Sequence, residues 1–425
     1  MTAIVGTINR QGVAFAADSA ATHATSSTCK ITNHANKIFE LSRHHPVGIC
    51  ICGGGAFIGV PWEEIFKMFR KYIKNDFLPK LTDYSNTFFN FVRSNLLPKL
   101  EHDQKDLLLF FANCFYDEVA QTIEKELKEK GIDPEDNVAR ADIMLCQLKN
   151  CCKMSTQLPR SLDYVQYSQK EFTDYADEDI DIFLHNKLGA LYSTELKEQF
   201  INALYLVLTS DKHIYLNSSE LIFWGYGENE LFPSYVSYLV SLAFDGRIKY
   251  TKKSEYIVSN QAHACVEPFA QTDVANTVVR GIDDNLRGVF YDTHNQSFEL
   301  FKNSIITELK SAAAPERLIT ALNKIDSKQY TENYASHMNQ YIQEKYIDQL
   351  VQTVSYLSKE DLADMAESLV RMTSLKRHIT SEEESVGGAV DVAVITKGDG
   401  FIWIKRKHYF EAELNPHYFE RSKNL

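Results

Sequence analysis

Residues 2–22 of this 425-residue chain read TAIVGTINRQGVAFAADSAAT, behind a single methionine. A threonine hydroxyl is a weak nucleophile unless a base sits beside it. One known base is the threonine's own α-amino group, which requires that threonine to be the first residue of the mature chain. A Met-Thr start suits that requirement, because threonine is small enough for the methionine to be trimmed. The freed amine would titrate near its ordinary value of about 7.7–8.0, in range for a general base at neutral pH. Such chemistry also needs a cation to keep the amine neutral, a carboxylate to hold the cation, and an N–H group to receive the developing oxyanion.

Other residues of the right types read more simply. The cysteines at 29, 50, 52, 114, 146, 151, 152 and 265 form no paired CxxC motifs, so reduced thiols in a cytosolic protein are expected. Cys50 and Cys52 share one face of a predicted strand and read as small buried apolar groups. The acidic run DYADEDIDIF (174–183) lacks the glycine of a calcium loop and reads as a solvated loop. Gly225-Tyr226-Gly227 lacks the third glycine and the βαβ setting of a phosphate loop, and reads as a strand-end turn. His44-His45-Pro46 reads as a polar turn, with no third ligand at a usable spacing. No metal and no cofactor is expected.

Composition narrows the class. Hydrophobic residues make up 44% and charged residues 24%, enough for a sizeable core. A net charge of -12 argues against a nucleic-acid surface, which needs a basic footprint. No apolar run is long enough for a bilayer span, and no charged segment followed by an apolar one opens the chain. The expectation is a cytoplasmic protein with neither a membrane span nor a signal peptide.

The elements that must position Thr2 come next. Residues 2–9 and 12–18 read as a hairpin, 30–41 and 47–52 as two further strands, then a glycine turn at 53–55 and a helix to about 75. Strands in succession rather than alternating with helices predict an α+β fold. Residues 76–200 read as a helical insertion packed on the core, with the Phe/Leu/Tyr stripes of 84–120 as helix core. β character is expected from about 204 to 260, including ALYLVLT (203–209). A second helical region runs to about 378, and a hairpin at 387–407 closes the body. The domains expected are a discontinuous core at 1–75 and 201–410, with added helices near 300–350, the insertion at 76–200, and a tail at 411–425.

The motif T-x-I-V-G-x-x-x-x-x-G-V-x-x-A-A-D-S-x-A-T at 2–22, followed by N-K-I-F (36–39) and the glycine turn, resembles the proteasome β-subunit family of N-terminal-nucleophile hydrolases. The resemblance implies a four-layer αββα sandwich of two antiparallel sheets. It implies Thr2 as nucleophile, Asp18 as the carboxylate, Lys37 in the third strand as the cation, and a backbone N–H of Gly53 or Gly54 as oxyanion donor. It extends to SEEESVGGAVDVAVI (381–395), where Ser385 falls on a family serine and Glu382 stands where the family has aspartate. The helix before it is similar to the last long helix of that fold. The family's other active-site serine has no counterpart in ACVEPFAQTDVAN (264–276), where the small-residue turn that carries it is missing.

The function implied is amide-bond hydrolysis, as a proteasome-like peptidase active after loss of Met1, with a peptide or small amide as substrate, a possible homo-oligomer and no defined unfoldase partner. Two alternatives stand beside it: a small-molecule amidohydrolase on the same fold, and a catalytically silent scaffold whose threonine is never exposed.

Overall fold

The computed structural model describes residues 2–24, 29–74, 76–133, 136–212, 218–380, 387–408, 410–417 and 420. The chain divides into two compact units, Met1–Ile38 with Ile257–Leu425, and Phe39–Tyr256. The protein is α+β, as the strand-rich start predicts, and antiparallel strand pairs build both of its five-stranded sheets.

The first unit is built on a five-stranded sheet, ordered Ala264–Ala270, Ala3–Asn9, Val13–Ala17, Asp391–Thr396, Gly400–Lys405. Both faces of Ala3–Asn9 are buried. Ala3 and Val5 face a helical layer together with Ala14, Ala16, Val392 and Val394. The main helix of that layer, Lys359–Ile379, starts at Ser358, whose hydroxyl accepts from the Asp361 N–H while the Asp361 carboxylate accepts in return. Leu362, Ala363, Ala366, Leu369 and Val370 recur at helical spacing and fill the seam with the sheet. Two side chains of the first strand tie the layers together. The Thr7 hydroxyl donates to the Leu362 carbonyl at 2.8 Å, and the Asn9 amide donates to the Val354 and Leu357 carbonyls at 2.9 Å.

On the opposite face, the small Gly6 lies under the ring of Phe15, its partner in register. A Cβ at Gly6 would come within 2.7 Å of that ring. The added helices of this unit are Asp284–Ser311, Glu316–Asn323 and Ser327–Ile342.

The second unit has its own five-stranded sheet, ordered Arg247–Ile257, Ser234–Phe244, Ser219–Gly225, Val47–Gly53, Ile38–Glu40. Helices Trp62–Ile73 and Leu81–Phe91 cover one face with aromatic side chains, of which Phe89 stacks on Tyr250 at 4.0 Å. Helices Glu101–Lys130, Asn137–Thr156, Gln169–Leu188 and Thr194–Thr209 build a separate core that closes on Leu242 and Phe244 of strand Ser234–Phe244.

Three local expectations are overturned. ALYLVLT is the end of helix Thr194–Thr209 and not a strand; Ala203 to Thr209 are all buried, so the run carries no polar face to reveal its period. The acidic run 174–183 lies inside helix Gln169–Leu188, where Phe172, Ala176, Ile180 and Leu184 form a buried stripe beneath solvated carboxylates. The stretch 30–41 is not one strand. Cys29–Thr32 pairs with Ala21–Ala24, and only Ile38–Glu40 joins the larger sheet. Between them the Ala35 N–H donates to the Ser19 carbonyl at 3.0 Å, which draws the segment toward the end of the second strand.

Candidate active site

Asp18 sits one residue past the strand Val13–Ala17, and its side chain is almost fully buried. A buried carboxylate needs donors on both oxygens. Oδ1 accepts from Lys37 Nζ at 2.6 Å and from the Ala3 N–H at 2.8 Å. Oδ2 accepts from the Ala20 N–H at 3.0 Å and the Gly387 N–H at 3.2 Å. Lys37 is only 5% exposed, so this is an ion pair shielded from water. Lys37 lies in the segment just before Ile38–Glu40, not within the strand.

Thr2 is half-buried at the head of the first strand. Its carbonyl accepts from the Gln271 N–H at 3.0 Å, while the next N–H, that of Ala3, is held by Asp18. Both polar atoms of the Thr2–Ala3 peptide are therefore fixed. The same turn is braced from the end of the chain. The Ser19 N–H donates to the Gly387 carbonyl at 3.0 Å, and the Ser19 hydroxyl donates to the Ala389 carbonyl at 2.5 Å. The first unit thus brings Asp18, Lys37 and the Thr2–Ala3 peptide together. Ser385 and Glu382 lie outside the described residues, as does Met1.

Gly53 belongs to the second unit, where it ends the strand Val47–Gly53 with φ +88. Only glycine suits it, since a Cβ there would lie 2.3 Å from the Ser218 carbonyl oxygen. The turn is pinned from two sides. The Gly54 N–H donates to the Ser218 carbonyl at 3.2 Å, and the Ser219 hydroxyl donates to the Gly54 carbonyl at 2.7 Å. Trp62 Nε1 in turn donates to the Ser219 hydroxyl at 2.8 Å. The Gly54 N–H is thus engaged within the turn itself.

Nearby in that sheet, Cys50 and Cys52 are both buried, as their spacing predicts. Burial, and then the neighbouring Cys52 thiol, push the Cys50 thiol up, away from thiolate chemistry. Burial pushes the Lys249 ammonium down to about 7, with the charge of Asp211 opposing it.

Residues that sequence reasoning passed over are Gly387, Ala20 and Gln271, which act through backbone N–H groups. Only the paired glycines 387–388 carried a sequence signal for this.

No protein-family model matches the chain, and no curated protein matches it. Among solved structures, the Anbu (Gly-1) mutant from Hyphomicrobium sp. strain MC1 aligns with 100% of this chain and 96% of its own, at 8% identity and a TM-score of 0.28.

Proposed function

We propose that this chain is an N-terminal-threonine hydrolase of the proteasome β-subunit-like kind, cutting peptide bonds once Met1 is removed. The observation that carries the reading is the buried Asp18 carboxylate, which holds Lys37 Nζ and the Ala3 N–H on the same oxygen. That links a fixed cation to the peptide that follows the nucleophile, in the order the sequence motif requires.

The chemistry runs as follows. The Thr2 hydroxyl attacks the substrate carbonyl carbon, and its proton passes to the Thr2 α-amine. The Lys37 ammonium disfavours a second charge on that amine, and Asp18 holds Lys37 in place. The Gly53 N–H receives the oxyanion. Collapse breaks the C–N bond, the amine returns its proton to the leaving group, and an ester on Thr2 remains. Water, deprotonated by the same amine, then releases the acid and restores Thr2. The reading also implies the αββα sandwich of that family and a supporting role for Ser385, which lies outside the described residues.

The test is hydrolysis of a panel of fluorogenic peptide amides by the mature chain. Turnover is expected in the wild type and lost in Thr2→Ala, with light scattering on the same sample reporting whether the active species is a ring. Turnover that survives Thr2→Ala would contradict the proposal.

A further inference from the structure

A second set of residues, none used in the chemistry above, grips the start of the first strand. The Gln271 N–H donates to the Thr2 carbonyl at 3.0 Å. The side-chain oxygen of Gln271 accepts from the Arg377 guanidinium. Arg377 is 7% exposed and pairs with Asp273 Oδ1 at 3.0 Å. Lys376 holds the other oxygen of Asp273 at 2.9 Å. The turn that aims the Gln271 N–H passes through Ala270, which has φ +68 and stands opposite Ala3 in register. A non-glycine residue in that region is strained by about 1 kcal/mol or more, and it persists only where neighbours enforce it. Here the enforcing neighbours are the next residue, Gln271, and the last turn of helix Lys359–Ile379, which carries both Lys376 and Arg377.

Geometry also excludes a bland surface ion pair. Exposed pairs contribute little, but Arg377 is buried, and its partners Gln271 and Asp273 flank Thr272 in the short turn between strand Ala264–Ala270 and helix Asp273–Arg280. This is the segment where the sequence lacks the family's small-residue turn.

We infer that Gln271, Arg377 and Asp273 form a positioning network for Thr2: Arg377 fixes Gln271, and Gln271 fixes the carbonyl of Thr2 opposite the grip of Asp18 on Ala3. The catalytic consequence rests on the proposed nucleophile role of Thr2, but the positioning itself does not. With the carbonyl released, the Thr2–Ala3 peptide is held on one side only, and the hydroxyl and amine lose their fixed direction.

The experiment compares the wild type with Arg377→Met and with Gln271→Met, which keeps the backbone N–H and removes only the side-chain acceptor. Two readouts are taken on the mature chain. Site-resolved amide hydrogen exchange is expected to rise about tenfold or more at Gln271 and Ala3 in both variants, while the Val394 amide in the interior strand Asp391–Thr396 stays protected. Labelling of Thr2 by a hydroxyl-directed electrophile is expected to slow roughly tenfold. Faster exchange with slower labelling supports the network. Faster exchange with no labelling in any protein, the wild type included, supports the positioning and overturns the nucleophile reading. Unchanged exchange at Gln271 and Ala3 in the well-folded Gln271→Met variant overturns the network.

Discussion

Asp18→Asn is the most informative small change at the site. Asparagine keeps the shape of the aspartate but has one acceptor oxygen instead of two. In the wild type each carboxylate oxygen faces two donors, Lys37 and Ala3 on one side, Ala20 and Gly387 on the other. Whichever way the amide turns, its NH₂ group therefore faces two donors and satisfies neither. A hydrogen bond to a charged group contributes about 1.5–3 kcal/mol, and breaking a buried ion pair from one side costs about 3–5 kcal/mol because the other charge is stranded. Loss of about 4 kcal/mol is expected, at the upper part of the range for single substitutions. The assay is urea unfolding followed by circular dichroism, with the midpoint falling and the slope unchanged. A double-mutant cycle with Lys37→Met isolates the pair. Removing the stranded ammonium should recover part of the loss, giving a coupling of about 2 kcal/mol or more. Two losses that simply add to within about 0.5 kcal/mol would refute the reasoning, because Asp18 and Lys37 would then not share a buried contact.

Further outcomes follow from the same packing. Gly6→Val drives a side chain into the Phe15 ring and should lower stability by about 1–3 kcal/mol, read from the urea midpoint. Ser219→Ala removes the acceptor of Trp62 and the donor to Gly54, and should cost about 1–3 kcal/mol in the same assay. Lys249 is expected to make stability rise with pH. Its folded value is depressed to about 7, so above that pH the unfolded chain binds the extra proton until the lysine's ordinary value near 10.4 is passed. Lys249→Met should flatten that rise in unfolding curves measured from pH 7 to 10, and an unaltered slope would show that Lys249 is not its source.

The hairpin at 2–17 and the closing strands were legible because their apolar runs are short, bounded by turn residues, and tied to a motif with fixed spacing. The pairing of Asp18 with Lys37 was legible only through that motif, since neither residue marks itself by local pattern. The rest hid for physical reasons. Ala203 to Thr209 is buried on every side, and a helix with no exposed stripe looks like a buried strand. The acidic run 174–183 reads as a loop until the i, i+4 series Phe172, Ala176, Ile180 and Leu184 is followed through it. Lys37 was assigned to a strand, but its segment is tied by Ala35 to Ser19 and enters the strand only at Ile38. The contact of Gln271 with Arg377 joins residues 106 positions apart and acts on Thr2 through a backbone N–H, which no side-chain pattern can announce.

The account turns on one atom, the α-nitrogen of Thr2. Intact-mass spectrometry of the purified chain, before and after treatment with a threonine-directed electrophile, tests it most directly. The account expects a mass lacking one methionine, a single covalent adduct on the wild type, and no adduct on Thr2→Ala. A mature chain that retains Met1 and takes no adduct would contradict it, since an acylated amine cannot serve as the base.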